Sequence, residues 1–139
     1  YKLWSSFVPT SRKNNYYCAR MEFDLLALYE SECFDQFVRR YGKKYTWLNI
    51  NSYKTHRTFE SRLHTGSLNA KKIKNWVKAN LMLADAAKEL SWDEMVLALN
   101  GKTAKEQFEY CSKIWGKELS DYLCERAHKF GNILRIQGE

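Results

Sequence analysis

The segment HRTFESRLHTGSLNAKKIKNW, residues 56–76, changes its period halfway along. From Arg57 to His64 the chain alternates, which puts Arg57, Phe59, Ser61 and Leu63 on one face of an extended strand and Thr58, Glu60, Arg62 and His64 on the other. Gly66 ends that pattern, and from Ala70 to Leu90 the apolar positions Ile73, Trp76, Val77, Leu81, Ala84 and Ala87 recur at helical spacing. A strand with one polar face, followed at once by a long amphipathic helix, sets the expectation of an α+β fold.

Upstream, Tyr45 to Asn51 (YTWLNIN) is short, aromatic and β-leaning and reads as a second strand. Before it, Leu25, Leu26, Tyr29, Cys33 and Phe37 predict a helix over Asp24 to Arg40 with Asp24 as its N-cap, closed at Gly42. Downstream, Ser91 followed three residues later by Glu94 forms a capping box for a helix over Trp92–Leu99, which Asn100 and Gly101 close. Ala104, Phe108, Cys111 and Trp115 mark another helix, and Leu119, Tyr122, Leu123, Arg126, Ala127 and Phe130 continue it beyond Gly116. No repeat divides the chain, so the expectation is one α+β domain with helices packed on part of an antiparallel sheet, and a helical tail over 91–139. Two strands alone make a marginal sheet, so further strands are expected upstream of Tyr1.

The composition allows this: 139 residues, 45% hydrophobic and 15% aromatic, with one Pro and six Gly, suit a single folded core and not a disordered linker. The opening YKLWSSF lacks the features of a secretory signal, and the chain is expected to begin within a longer protein. Charged residues break every apolar run short of a membrane span. Cys18, Cys33, Cys111 and Cys124 form no CxxC pair, which argues against a zinc ribbon or a dithiol redox site. With no N-glycosylation acceptor present, they point to a reducing, cytoplasmic setting. The net charge of +7 makes nucleotide phosphates or nucleic acid plausible partners without choosing between them.

The polar face of the second strand sets Glu60 beside Arg62, a carboxylate for a hard cation next to a fork of donors for phosphate. Alone, the pair reads first as an exposed cross-strand ion pair on an antiparallel sheet, since such pairs are common and weak. Three segments in order give it context: SRKNNYYC (residues 11–18), RYGKKYTWLNI (residues 40–50) and the opening 56–76 stretch. They resemble, respectively, the Arg-x-x-Asn-x-Tyr-Cys element, the Arg-Tyr…Leu-Asn strand, and the Thr-x-Glu-x-Arg strand with its following turn and Ile-x-x-Trp helix of the amidoligase family. That family consists of carboxylate-amine ligases of the glutamine synthetase-like superfamily. The resemblance falls on its carboxy-terminal half and covers about residues 1–90, while 91–139 corresponds only in being helical.

The resemblance implies a glutamine synthetase-like antiparallel sheet whose concave face joins a carboxylate to an amine at the expense of ATP, through an acyl phosphate. By position, Glu60 would be a Mg2+ ligand and Arg62 would contact the transferred phosphate. Arg40 and Arg12 would be further anion contacts, and Asn15 and Asn49 lesser ones. The implied partners are carboxylate and amine substrates, peptide or protein among them, and either an upstream half of the same protein or a partner chain bringing the remaining metal carboxylates. A non-catalytic amidoligase-like binding protein stays as the alternative. A nucleic-acid module built on Lys71, Lys74, Lys78, Arg39, Arg40, Lys43 and Lys44 is the lesser rival, because no recognition motif accompanies the charge. Gly101-Lys102-Thr103 mimics a P-loop ending, but Val96 stands where the motif needs Gly, so Thr103 reads as a helix cap.

Overall fold

A computed structural model describes residues 1–21 and 25–134, Leu25 and Leu26 by their backbone alone. In chain order its elements are α1 (Lys2–Ser5), α2 (Thr10–Lys13), α3 (Leu25–Tyr29), α4 (Phe34–Tyr41), β1 (Leu48–Asn49), α5 (Tyr53–His56), β2 (Glu60–Ser61), α6 (Ala70–Glu89), α7 (Trp92–Leu99) and α8 (Ala104–Lys129). The fold is α+β, with a small antiparallel sheet and a helical tail. Two compact units divide it: Tyr1 with Thr10–His64, and Lys2–Pro9 with Thr65–Glu139.

In the first unit β1 and β2 pair antiparallel, Leu48 opposite Ser61 and Asn49 opposite Glu60. The Arg62 amide extends the pairing to the Trp47 carbonyl at 2.8 Å, and Ala19 joins Thr46 by a parallel bridge. Both strands are shorter than the alternation over 45–51 and 57–64 predicts. Asn49 ends the first by accepting the Asn51 amide at 3.1 Å, which turns the chain into a 3-10 turn over Ile50–Ser52 and then into α5. Arg57 delays the second, because it closes α5 in the left-handed region at φ 54° and reaches Asp35 at 3.0 Å. Side-chain closure of local backbone groups has displaced ladder hydrogen bonds here.

The predicted helix over 24–40 is likewise two helices. Ser31 bonds back to the Ala27 carbonyl, the Gln36 side chain takes the Glu32 amide, and Cys33 is extended at the N-cap of α4. Polar side chains thus offer the backbone partners outside a continuous helix. The cap assigned to Asp24 and the facing of Leu25 and Leu26 lie outside the described residues. Phe37, Val38 and Ile50 form the core of this unit, with Phe34, Tyr41, Leu48 and Tyr53 packed around them.

The second unit is helical. α1, α6 and α7 each pack on α8, around Phe7, Phe108, Trp115, Leu119 and Leu123, all almost fully buried. Trp4 packs edge-on to Trp76 at 4.9 Å and to Trp115 at 6.0 Å, and the Trp115 indole N–H donates to the Ala79 carbonyl at 3.0 Å. Both capping boxes form, Ser91 with Glu94 and Thr103 with Glu106. Gly116, at φ 72°, breaks α8 into two stretches. The stripe predicted on α6 is turned: Trp76 and Ala79 are buried, whereas Ile73, Val77 and Leu81 are 43, 48 and 59% exposed. Trp76, Ala79, Leu83 and Ala86 form a second apolar line at helical spacing, and the Trp115 bond to Ala79 holds that side of the helix inward.

Candidate functional site

The first unit carries an open cleft of about 310 Å³ lined by Arg12, Tyr17, Cys18, Glu60, Ser61, Arg62 and His64. At its centre Arg62 Nη2 donates to Glu60 Oε2 at 2.7 Å. Asn49, directly opposite Glu60 in the register, donates its Nδ2 to the same oxygen at 2.9 Å and to Ser52 Oγ at 2.8 Å. Asn49 is itself buried. Its hydrogen bond is the largest cause holding the Glu60 carboxyl below its ordinary value; burial, the next in size, opposes it, and the bond and charge of Arg62 and the charge of Lys44 add to the lowering. Glu60 is therefore a carboxylate fixed in its ionised state while its side chain stays about half exposed.

Arg62 is held from behind. Arg12, from α2, donates to the Arg62 carbonyl through Nη2 and to the Leu63 carbonyl through Nε at 3.4 Å, and the buried Cys18 thiol donates to the same Arg62 carbonyl at 3.1 Å. The Arg62 guanidinium lies 5.9 Å from the centre of the Tyr45 ring, which packs against Tyr16 and Tyr17. Only 19% of the Arg62 side chain is exposed, and its Nε is shut from solvent with no acceptor among the described residues. A desolvated guanidinium with a donor to spare, beside an ionised carboxylate, is suited to holding an anion.

Of the residues singled out from sequence, Glu60, Arg62, Arg12 and Asn49 gather here. Arg12 and Asn49 bind backbone carbonyls and the Glu60 carboxylate, so both position the central pair. Asn15 instead caps the 3-10 turn over Tyr16–Cys18 by accepting the Tyr17 amide at 2.8 Å. Arg40 lines a different cleft, with Glu30, Ser31, Gln36 and Tyr41, and its guanidinium lies 5.4 Å from the centre of the Tyr41 ring. His64 joins the site because it shares the polar face of Glu60 and Arg62. Cys18 and Tyr17 join it from the Asn-x-Tyr-Cys stretch. The signals for all three were in the sequence; their convergence was not.

Fold and cleft together define an α+β protein with a carboxylate–guanidinium pair on a short antiparallel sheet. The model of the family described as "Putative amidoligase enzyme" matches residues 4–84. That is more than half of the chain and includes all three converging segments, and the chain belongs to this amidoligase family. Neither the comparison with curated proteins nor that with solved structures found a match. Among the described residues no helix is long and apolar enough to cross a membrane.

Proposed function

We propose that the cleft around Glu60 and Arg62 is the phosphate-handling part of an ATP-dependent carboxylate-amine ligase, on the carboxy-terminal portion of a glutamine synthetase-like sheet. The observation that carries the proposal is the Arg62 guanidinium, tied to Glu60 through one nitrogen and holding a buried Nε without an acceptor among the described residues. Such a ligase must neutralise the charge that builds on a phosphoryl group as it passes from ATP to a carboxylate, and preorganised donors do this at no reorganisation cost. Arg62 is the residue for that work, with Arg12 and Cys18 fixing its backbone and the Tyr45 ring beside its guanidinium.

Magnesium fits the donor set in a limited way. No three Asp, Glu, His or Cys side chains gather among the described residues, but Mg2+ with ATP takes one or two carboxylates and completes its shell with phosphates and water. Glu60 would hold it by one oxygen, leaving Oε2 to Asn49 and Arg62. The ion would supply charge neutralisation at the phosphates. Remaining carboxylates, and the pockets for the carboxylate and amine substrates, we assign to a further segment or a partner chain.

Phosphate release from ATP by the intact protein, with that further segment or partner chain present, is the assay, with a panel of carboxylates and with hydroxylamine as the amine. Turnover should require ATP, magnesium and a carboxylate together. Arg62→Ala should lower it about 10²- to 10³-fold, and Glu60→Gln should remove its response to magnesium. Unchanged turnover in both folded variants would sink the reading. A second reading rests on the same geometry: Glu60 Oε2 is already bonded by both Asn49 and Arg62, as in a clamp that only holds β1 to β2. It predicts that Glu60→Gln lowers stability and leaves magnesium-ATP binding untouched.

A further inference from the structure

The second unit has a cleft of about 400 Å³ where the start of α6 meets the last turns of α8. Four cations line it: Lys71 and Lys72 from the first turn of α6, and Arg126 and Lys129 from the end of α8. Among the described residues no carboxylate lines it. The clustering is felt at Lys72, whose ammonium is held below its ordinary value first by burial and then by the charges of Arg126 and Lys129.

Arg126 points most directly to a ligand. Its guanidinium lies 5.2 Å from the centre of the Phe130 ring, and its Nε and Nη2 are shut from solvent with no acceptor among the described residues. Donors left unanswered in this way destabilise a fold unless something occupies them. Lys71 is held over the Tyr122 ring at 5.6 Å, and Lys72 donates to Thr65 Oγ1 at 2.8 Å, so both ammonium groups are steadied at the rim by neutral partners. Asn69 caps α6 here by accepting the Lys72 amide, which brings the positive end of a 20-residue helix to the same place.

We propose that this cleft binds the phosphate chain of a small-molecule di- or triphosphate, with Arg126, Lys72 and Lys71 holding its oxygens. A lone carboxylate would answer one of the four charges, whereas a polyphosphate offers several charges and the tetrahedral oxygens that a guanidinium fork engages in pairs. A volume of about 400 Å³ suits a small ligand. The site uses no residue of the Glu60 cleft and stands independently of the ligase reading.

The test is calorimetric titration of the full chain with pyrophosphate in the presence of a chelator. Saturable binding is expected. It should weaken about ten- to a hundredfold in Arg126→Ala and in Lys72→Ala, and less in Arg126→Lys, which keeps the charge but loses the fork. Lys78→Ala, which removes an exposed cation of the same helix, should leave it unchanged. Absence of binding, or equal weakening by Lys78→Ala, overturns the site. So does an oligonucleotide that binds more tightly and is not displaced by pyrophosphate. If Arg126→Ala proves unstable, Lys72→Ala and Lys129→Ala decide the matter alone.

Discussion

Replacing Asn49 by Ala tests the geometry of the Glu60 cleft most directly. The Asn49 side chain makes three hydrogen bonds: to Ser52 Oγ, to Glu60 Oε2 and from the Asn51 amide. Each neutral bond contributes about 0.5–1.5 kcal/mol net. The bond to Glu60 is charge-assisted, but that carboxylate is about half exposed, so solvent screening brings it back to about 1 kcal/mol. Asn49→Ala should therefore cost about 2–3 kcal/mol at neutral pH. The carboxylate's share carries a sign. Because Glu60 is held below its ordinary value of 4.5 in the folded protein, its stabilisation is present above that value and lost as pH falls through the lower folded value. The difference between wild type and Asn49→Ala should then shrink, by up to about 1 kcal/mol, on acidification from neutral pH to well below 4.5. Urea denaturation at the two pH values measures the gap, and carboxyl NMR titration of Glu60 should show its midpoint rising in the variant. A gap that does not change with pH, together with an unmoved Glu60 titration, would refute the claim that Asn49 holds Glu60 ionised.

Trp115→Phe removes the indole bond to the Ala79 carbonyl in a buried setting and should lower stability by about 1–2 kcal/mol, read by urea denaturation. Gly116→Ala meets no atom within 4 Å, so its cost comes from φ 72° alone; a loss of about 1 kcal/mol is expected, seen as a lower Tm. The Cys111 thiol, which burial pushes up to about 12, should resist iodoacetamide in the folded protein while the exposed Cys33 is alkylated. Mass spectrometry of labelled peptides distinguishes the two, and equal labelling would contradict the burial of Cys111.

Much of the helical architecture was legible because helix ends depend on neighbours. The Ser91–Glu94 box and the Thr103 cap are closed by residues three positions away, and both form as the sequence reads. The helix from Ala70 ends within one residue of its predicted limit. The strands were less legible. Asn49 and Arg57 each satisfy backbone groups locally, and that competition cut a predicted seven-residue strand to the pair Leu48–Asn49. α6 shows a different limit: it bears two apolar lines, and nothing in its own sequence says whether Ile73–Val77–Leu81 or Trp76–Ala79–Leu83 turns inward.

The sequence by itself determined the α+β class, the major helices of the tail, and the setting of Glu60 and Arg62 two residues apart in an extended stretch, since these follow from the period of the chain. Only the tertiary structure decided which residues surround that pair. Asn49 reaches Glu60 across 11 residues and Arg12 reaches the Arg62 carbonyl across 50, while Arg40 is directed to another cleft. The physical reason is range. A cap or an alternating face is fixed by contacts within a few residues, whereas a site closed over long loops depends on which packing of the whole chain repays the entropy of bringing its ends together.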